Sequence, residues 1–189
     1  MRRSLLARRH ALPADTRVEA ATRVRAELVD LVRRLRPQRV TGYVPVGTEP
    51  GGPELPGVLR AALPPGAELL LPVLRDDLDL DWAAYDGPDG LVAAGRGMRE
   101  PSGPLLGVAA VADADLVVVP ALAVDQRGLR LGRGGGSYDR ALSRVPADTL
   151  TVALLHDGEL VERVPAEPHD RPVRAVVTPD TGLRVLPAP

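Results

Sequence analysis

Four glycines fall within five residues of this chain, in the run Arg130-Leu131-Gly132-Arg133-Gly134-Gly135-Gly136-Ser137-Tyr138-Asp139-Arg140. Such a run lets the backbone enter conformations closed to residues that carry a Cβ. Upstream, Leu116-Val117-Val118-Val119 reads as a buried strand; downstream, Tyr138 to Val145 reads as a helix. The unit is a strand, a loop and a glycine-rich entry into a helix. N–H groups at such an entry, aided by the helix dipole, favour anions. Arg130 and Arg133 offer planar, bidentate contacts to phosphate. Asp139, in the first helical turn, is placed to hold magnesium beside those phosphates. The chemistry points to a nucleoside triphosphate, with a plain surface loop as the alternative. A Walker A loop is excluded, because it needs Lys after its last Gly and the chain has no lysine. A dinucleotide fingerprint is excluded too: the spacing Gly132-x-Gly134-x-Gly136 differs, and the run comes late rather than after the first strand.

The rest of the chain supports a layered α/β reading. Val18, Ala21, Val24, Leu28, Leu31, Val32 and Leu35 recur at helical spacing and predict a long amphipathic helix that ends before Pro37. Arg39 to Val46 reads as the first strand, Leu55 to Leu63 as a short helix, Glu68 to Leu74 as a second strand and Leu78 to Tyr85 as an edge strand. Gly87 to Gly107 reads mostly as loop. Leu116 to Pro120 reads as a central strand, and Leu150 to Leu155 and Val173 to Val177 as two more. Alternating helices and short apolar strands imply a mostly parallel sheet. Ligands of such sheets sit beyond the carboxyl ends of the strands. The loops after Val46, Val119 and Leu155 are therefore expected to share one cleft.

Composition narrows the classes. A chain of 189 residues is read as a single domain over 1–189. Its net charge of −1 gives no field to attract nucleic acid or membrane, and the absence of Cys excludes thiolate and disulfide chemistry. Met1 to Ala7 begins like a signal peptide, but Arg8 and Arg9 interrupt it. The longest apolar stretch, Leu105 to Val124, contains Asp113 and Asp115 and does not suit a membrane span. The expectation is a soluble, cytoplasmic monomer. The 24 arginines without a lysine, and the absence of Phe, read as codon bias rather than function.

The run from Val119 through Arg140 resembles the signature of the 5-formyltetrahydrofolate cyclo-ligase (methenyltetrahydrofolate synthetase) family. Shorter segments agree in order and spacing: Gly42-Tyr43-Val44-Pro45 with Glu49, Gly97-Met98-Arg99-Glu100-Pro101, Val164 to Asp170, and Val176-Val177-Thr178. The resemblance implies a Rossmann-like three-layer domain of the NagB/RpiA/CoA-transferase type. It implies a ligase that uses ATP and Mg2+ to close 5-formyltetrahydrofolate to 5,10-methenyltetrahydrofolate, with release of ADP and phosphate.

By that resemblance, Arg2 and the segment Arg130, Leu131, Gly132, Arg133, Gly134, Gly135, Gly136, Ser137 and Tyr138 bind ATP. Val44, Glu49 and the stretch Arg133 to Ser137 border the folate. Arg133 and Arg130 are the expected catalytic groups. Asp139 and Glu167 are the expected metal ligands, with Asp170 as the fallback for Glu167. The chain departs from the family pattern at Gly135, at Ser137, and at Pro50-Gly51-Gly52-Pro53, where the family has an acid-Thr helix start. The family's N-terminal lysine position falls before Met1, so either the start lies upstream or Arg2 and Arg3 take over. Trp82 and Tyr85 are candidates for a wall that stacks on the substrate, against a plain core role. His10, His156 and His169 lack metal-ligand spacing and receive no role. Two other functions fit the glycine loop: a sugar-phosphate isomerase on a related fold, and a non-catalytic binder of folate or nucleotide.

Overall fold

The computed structural model describes residues 1–167 and 170–187. Two helices open the chain, α1 (Arg2–Ala11) and α2 (Ala14–Leu35). The break between them is the extended Leu12 followed by Pro13, whose ring suits a helix start better than its interior. On α2 the buried stripe is Ala21, Val24, Leu28, Leu31 and Val32, while Val18 and Leu35 at its ends are exposed. The helix stops at Arg36, in left-handed geometry with φ of 49°, because Pro37 disfavours another helical residue before it.

A seven-stranded sheet forms the centre. It contains β1 (Arg39–Thr41), β2 (Glu68–Leu74) and β3 (Leu80–Ala84), then β6 (Leu116–Pro120), β9 (Leu150–Leu154), β11 (Ala175–Thr178) and β12 (Gly182–Val185). Between β3 and β6 lies a small hairpin of β4 (Leu91–Ala93) and β5 (Arg99–Pro101). The sheet order is β12-β11-β9-β6-β1-β2-β3; the five inner strands run parallel and the two edges antiparallel. From β1 the chain moves outward to β2, then returns to β6 on the other side. The order therefore reverses between β1 and β6, where ligands of doubly wound sheets bind.

The central strands are buried on both faces, so they read as continuous apolar runs. Leu116 and Val118 face α2 and α3 (Leu55–Ala62), whereas Val117 and Val119 face the opposite layer. That layer holds α4 (Ser137–Leu142) and a 3-10 stretch, Val108–Asp113. Each fully buried Leu or Val in these layers contributes roughly 1.5–3 kcal/mol.

The structure corrects several expectations. The first strand ends at Thr41 rather than Val46. Gly42 still donates to the Leu70 carbonyl at 2.9 Å, but Pro45 has no N–H to extend the ladder, and Tyr43 instead donates its hydroxyl to the Pro50 carbonyl at 3.0 Å. The chain from Val44 onward leads into the cleft. Trp82 and Tyr85 are 1% and 5% exposed and pack in the two opposite core layers, so they form no exposed stacking wall. A separate three-stranded sheet, ordered β10-β7-β8, joins two strands that precede the loop glycines to one that follows β9: β7 (Ala123–Asp125), β8 (Arg130–Leu131) and β10 (Leu160–Val161). Its turn is built on Asp125, which accepts the N–H groups of Arg127 and Leu129, with Gly128 at φ of 84°. Burial opposes the charge of Asp125, yet the Arg127 guanidinium and the N–H donors hold its carboxyl below the usual range. Among the described residues no helix is long and apolar enough to cross a membrane.

Candidate active site

The glycine run links β8 to α4 at the carboxyl end of the sheet. Gly134 has φ of 106° and Gly136 φ of 68°, conformations that side chains rarely adopt. Arg2 from α1 and Arg140 from α4 hold its carbonyls. Arg2 Nε donates to the Gly132 carbonyl at 2.9 Å, and Arg140 Nη2 donates to those of Gly135 at 2.9 Å and Leu78 at 2.8 Å. Among the described residues, no hydrogen bond is donated by the N–H of Gly134, Gly135 or Gly136. The loop thus spends its acceptors on protein and keeps donors in hand, as an anion cradle requires.

The two predicted arginines differ. Arg130 is buried, its side chain 4% exposed, and donates from Nη2 to Asp139 Oδ1 at 2.7 Å. Its guanidinium lies 5.7 Å from the centre of the Tyr138 ring, and among the described residues its Nε has no hydrogen-bond partner. A Cβ at Gly132 would sit 2.8 Å from Arg130 Nη1, so a side chain there would displace the Arg130 guanidinium. Arg133 is about half exposed and reaches across the cleft to Glu49, with Nη2 to Oε1 at 3.1 Å. Glu49 is the more buried partner; its Oε2 also accepts the Val46 N–H at 2.9 Å. Loss of hydration, then the nearby Glu49 charge, pushes the hydroxyls of Tyr43 and Tyr138 well above the usual tyrosine range. Both phenols are therefore neutral donors rather than bases.

The other expected residues fall around this centre. Val44 is half-buried against the α2-side core. The Leu131 side chain is buried beside Leu5, Leu122 and Val164 and serves packing, so only its backbone faces the loop's task. Ser137 begins α4, whose N-cap is Gly136 and which therefore has no side-chain cap. Glu167 lies three residues after Val164, exposed, and donates its N–H to Asp170 Oδ2 at 2.8 Å. His169, with Pro168, lies outside the described residues. Among the described residues no set of three or more acidic or His side chains is grouped for a metal. Asp139 is the carboxylate nearest the glycine donors along the chain, and magnesium that keeps waters and substrate phosphates needs only one or two such ligands. A cavity of about 250 Å³ opens beside the tip between β2 and β3, lined by Leu74, Leu78, Met98 and Glu100 among others.

Sequence reasoning missed a buried network behind the loop. Arg9 binds both carboxylate oxygens of Glu159 at 2.7 Å, and its Nη2 also donates to the Ala121 carbonyl. Glu159 accepts the His156 N–H at 2.7 Å, and His156 Nε2 meets the Thr48 carbonyl at 2.9 Å. Because a carbonyl only accepts, that ring nitrogen carries the proton. Nothing distinguishes Arg9 in a chain with 24 arginines except its place one helical face along from Leu5. The loops after β1, β6 and β9 do converge, as their position in the sheet predicts.

The match to known proteins runs nearly the whole chain. The model of the 5-formyltetrahydrofolate cyclo-ligase family matches residues 1–179. The 5-formyltetrahydrofolate cyclo-ligase of Mycolicibacterium smegmatis is 42% identical over 191 residues, covering 98% of this chain and 95% of that protein. The Escherichia coli protein of the same name is 37% identical over 117 residues, covering 60% of this chain and 64% of that protein. The solved 5,10-methenyltetrahydrofolate synthetase of Aquifex aeolicus superposes with a TM-score of 0.80 at 28% identity, covering 100% of this chain and 92% of that one. That of Mycoplasma pneumoniae superposes at 0.71 with 15% identity over 93% and 94% of the two chains, a likeness of fold.

Proposed function

This chain belongs to the 5-formyltetrahydrofolate cyclo-ligase family, and from that premise we propose how its residues share the ring closure. The activity is the ATP-dependent conversion of 5-formyltetrahydrofolate to 5,10-methenyltetrahydrofolate. A formamide is a poor electrophile, and its oxygen is a poor leaving group. In the proposed course the formyl oxygen attacks the γ-phosphorus of ATP and ADP departs. N10 then attacks the formyl carbon, the C–O bond breaks with release of phosphate, and N10 gives up its proton. No covalent protein nucleophile is needed. The protein's work is positioning and neutralisation of charge.

The observation that carries this assignment is the set of undonated N–H groups at Gly134, Gly135 and Gly136, flanked by Arg133 and Arg130. These donors, with Arg2 at the rim, receive the phosphates. Glu49 takes the pterin's amino and ring N–H donor pair, with Val44 beside it. Arg133 swings from Glu49 to the transferring phosphoryl group, and Arg130 stabilises the same charge. Asp139, assisted by Glu167, would hold Mg2+, which neutralises the phosphate oxygens when bound. Arg130 is paired with Asp139, and Arg133 with Glu49. Each ligand exchanges one of these internal pairs for an external one. Soluble substrates of this kind support a cytoplasmic setting, and a single-domain monomer supplies every residue the reading needs.

The test is incubation with 5-formyltetrahydrofolate, with and without MgATP, followed by methenyl absorbance. Ring closure that depends on ATP is expected. Isomerisation of a sugar phosphate without ATP, or binding of folate without turnover, would replace this reading by one of the alternatives.

A further inference from the structure

The buried pair Arg9–Glu159 ties α1 to the turn that precedes β10. Arg2, Leu5 and Arg9 share one face of α1, at spacings of three and four residues. Leu5 docks that face among Leu122, Leu131 and Val164, Arg9 inserts behind it, and Arg2 reaches the Gly132 carbonyl. The side chains of Arg9 and Glu159 are 2% and 5% exposed, with both carboxylate oxygens engaged. The same carboxylate holds the His156 N–H, and the His156 ring holds Thr48, the neighbour of Glu49. One carboxylate thus sits behind both the glycine loop and the proposed folate carboxylate.

We propose that Arg9, Glu159 and His156 are positioning residues for the ring closure: the Arg9–Glu159 pair fixes α1 so that Arg2 meets the nucleotide, and His156 fixes the Thr48–Glu49 turn for the folate. This rests on the cyclo-ligase reading of the site. A pair kept only for stability is replaceable, since well-packed neutral groups of similar volume are often as stable as a buried ion pair. A positioning pair is not replaceable in this way.

Two variants separate the arms. Arg9→Met/Glu159→Gln removes both charges, while the amide oxygen introduced by Glu159→Gln still accepts the His156 N–H. It should keep its melting temperature yet raise KM for ATP about tenfold, with KM for 5-formyltetrahydrofolate changed less than about twofold. His156→Phe removes the ring donor to Thr48 and leaves Arg9–Glu159 intact. It should raise KM for the folate by about the same factor and leave that for ATP in place. If both variants keep wild-type constants, or if both constants move together in step with the loss of melting temperature, the role is structural and the proposal is overturned. Should the double variant not fold, Arg9→Lys takes its place under the same criterion, because it keeps the charge and loses the fork. Wild-type ring closure is the control: its absence would overturn the cyclo-ligase reading, whereas wild-type turnover with unchanged variants would overturn only this inference.

Discussion

Arg130 at the start of β8 and Arg133 in the glycine loop stand three positions apart, yet substitutions near them test different things. Asp139 partners the buried Arg130, whose Nε already lacks a partner among the described residues. Asp139→Ala should therefore destabilise the fold by about 3 kcal/mol, because it strands a buried guanidinium. Asp139→Asn keeps an acceptor for Arg130 and should cost only about 1 kcal/mol, while turnover falls roughly a hundredfold if the carboxylate holds the metal. Melting curves beside turnover distinguish the two effects, and normal turnover in the Asn variant would remove Asp139 from the metal site. Arg133 is about half exposed, and among the described residues its ion pair is with Glu49 alone. Its replacement by Ala should change stability within about 0.5 kcal/mol, yet remove roughly 2–4 kcal/mol of transition-state stabilisation. Lys should fall between, keeping charge without the planar fork. Near-normal steady-state turnover in the Ala variant would return Arg133 to the status of a loop residue. Both arginines stood out in the sequence as candidates for binding phosphate because of their glycine neighbours. Which one is buried was not, because burial depends on Tyr138 and Asp139 folding over Arg130.

At the scale of elements, glycines divide by what surrounds them. A Cβ at Gly134 would meet nothing within 4 Å, so Gly134→Val costs only the strain of its φ of 106°, about 1–3 kcal/mol. The branched side chain would nonetheless occupy the anion's space, so ATP affinity should fall far more than stability. Gly128 is the opposite case. A Cβ there would lie 2.3 Å from the Val173 carbonyl oxygen, so Gly128→Ala should lose at least about 3 kcal/mol while affecting ATP only through unfolding. Denaturant titration and ATP binding on the two variants check the contrast, and an equal loss of stability in both would contradict it. The tip between β2 and β3 is held by Arg144, whose guanidinium binds both oxygens of Asp79. That contact keeps the Asp79 carboxyl below the usual range. A depressed folded value means that the stabilisation is present at neutral pH and is lost as pH falls through it. Asp79→Asn should therefore weaken the fold at neutral pH and flatten the acid limb of stability against pH. The strand bounds of β2 and β6 were readable because long apolar runs carry their own period. The two- and three-residue strands β7, β8 and β10 were not, since their pairing is set by the Asp125 turn and by Arg9 and Glu159 rather than by local pattern.

For the whole molecule, the placement of the site follows from sheet order. Glu49 leaves β1 and the glycine loop follows β6, and these neighbours in the sheet carry their chains to opposite layers. The sequence made both motifs visible, but only the reversal of strand order brings them to a 3.1 Å contact. Alternating strand and helix signals were enough for the class of fold; the contact needed the register of Val40 against Leu116. That contact gives the closing prediction. Glu49 is held by Arg133, so a folate that uses Glu49 must displace a cation, and an ATP that uses Arg133 must displace a carboxylate. Once either ligand has broken the pair, the other no longer has to. By linkage each should strengthen the other equally, with a coupling of about 1 kcal/mol or roughly fivefold in Kd. Calorimetric titration of 5-formyltetrahydrofolate with and without a non-hydrolysable ATP analogue measures this directly. In Arg133→Ala the carboxylate is already free, so folate should bind without the analogue about as tightly as it does to wild type with it. If folate affinity ignores the analogue in the wild type, or if the coupling survives in Arg133→Ala, the ion pair is not the link between the two sites.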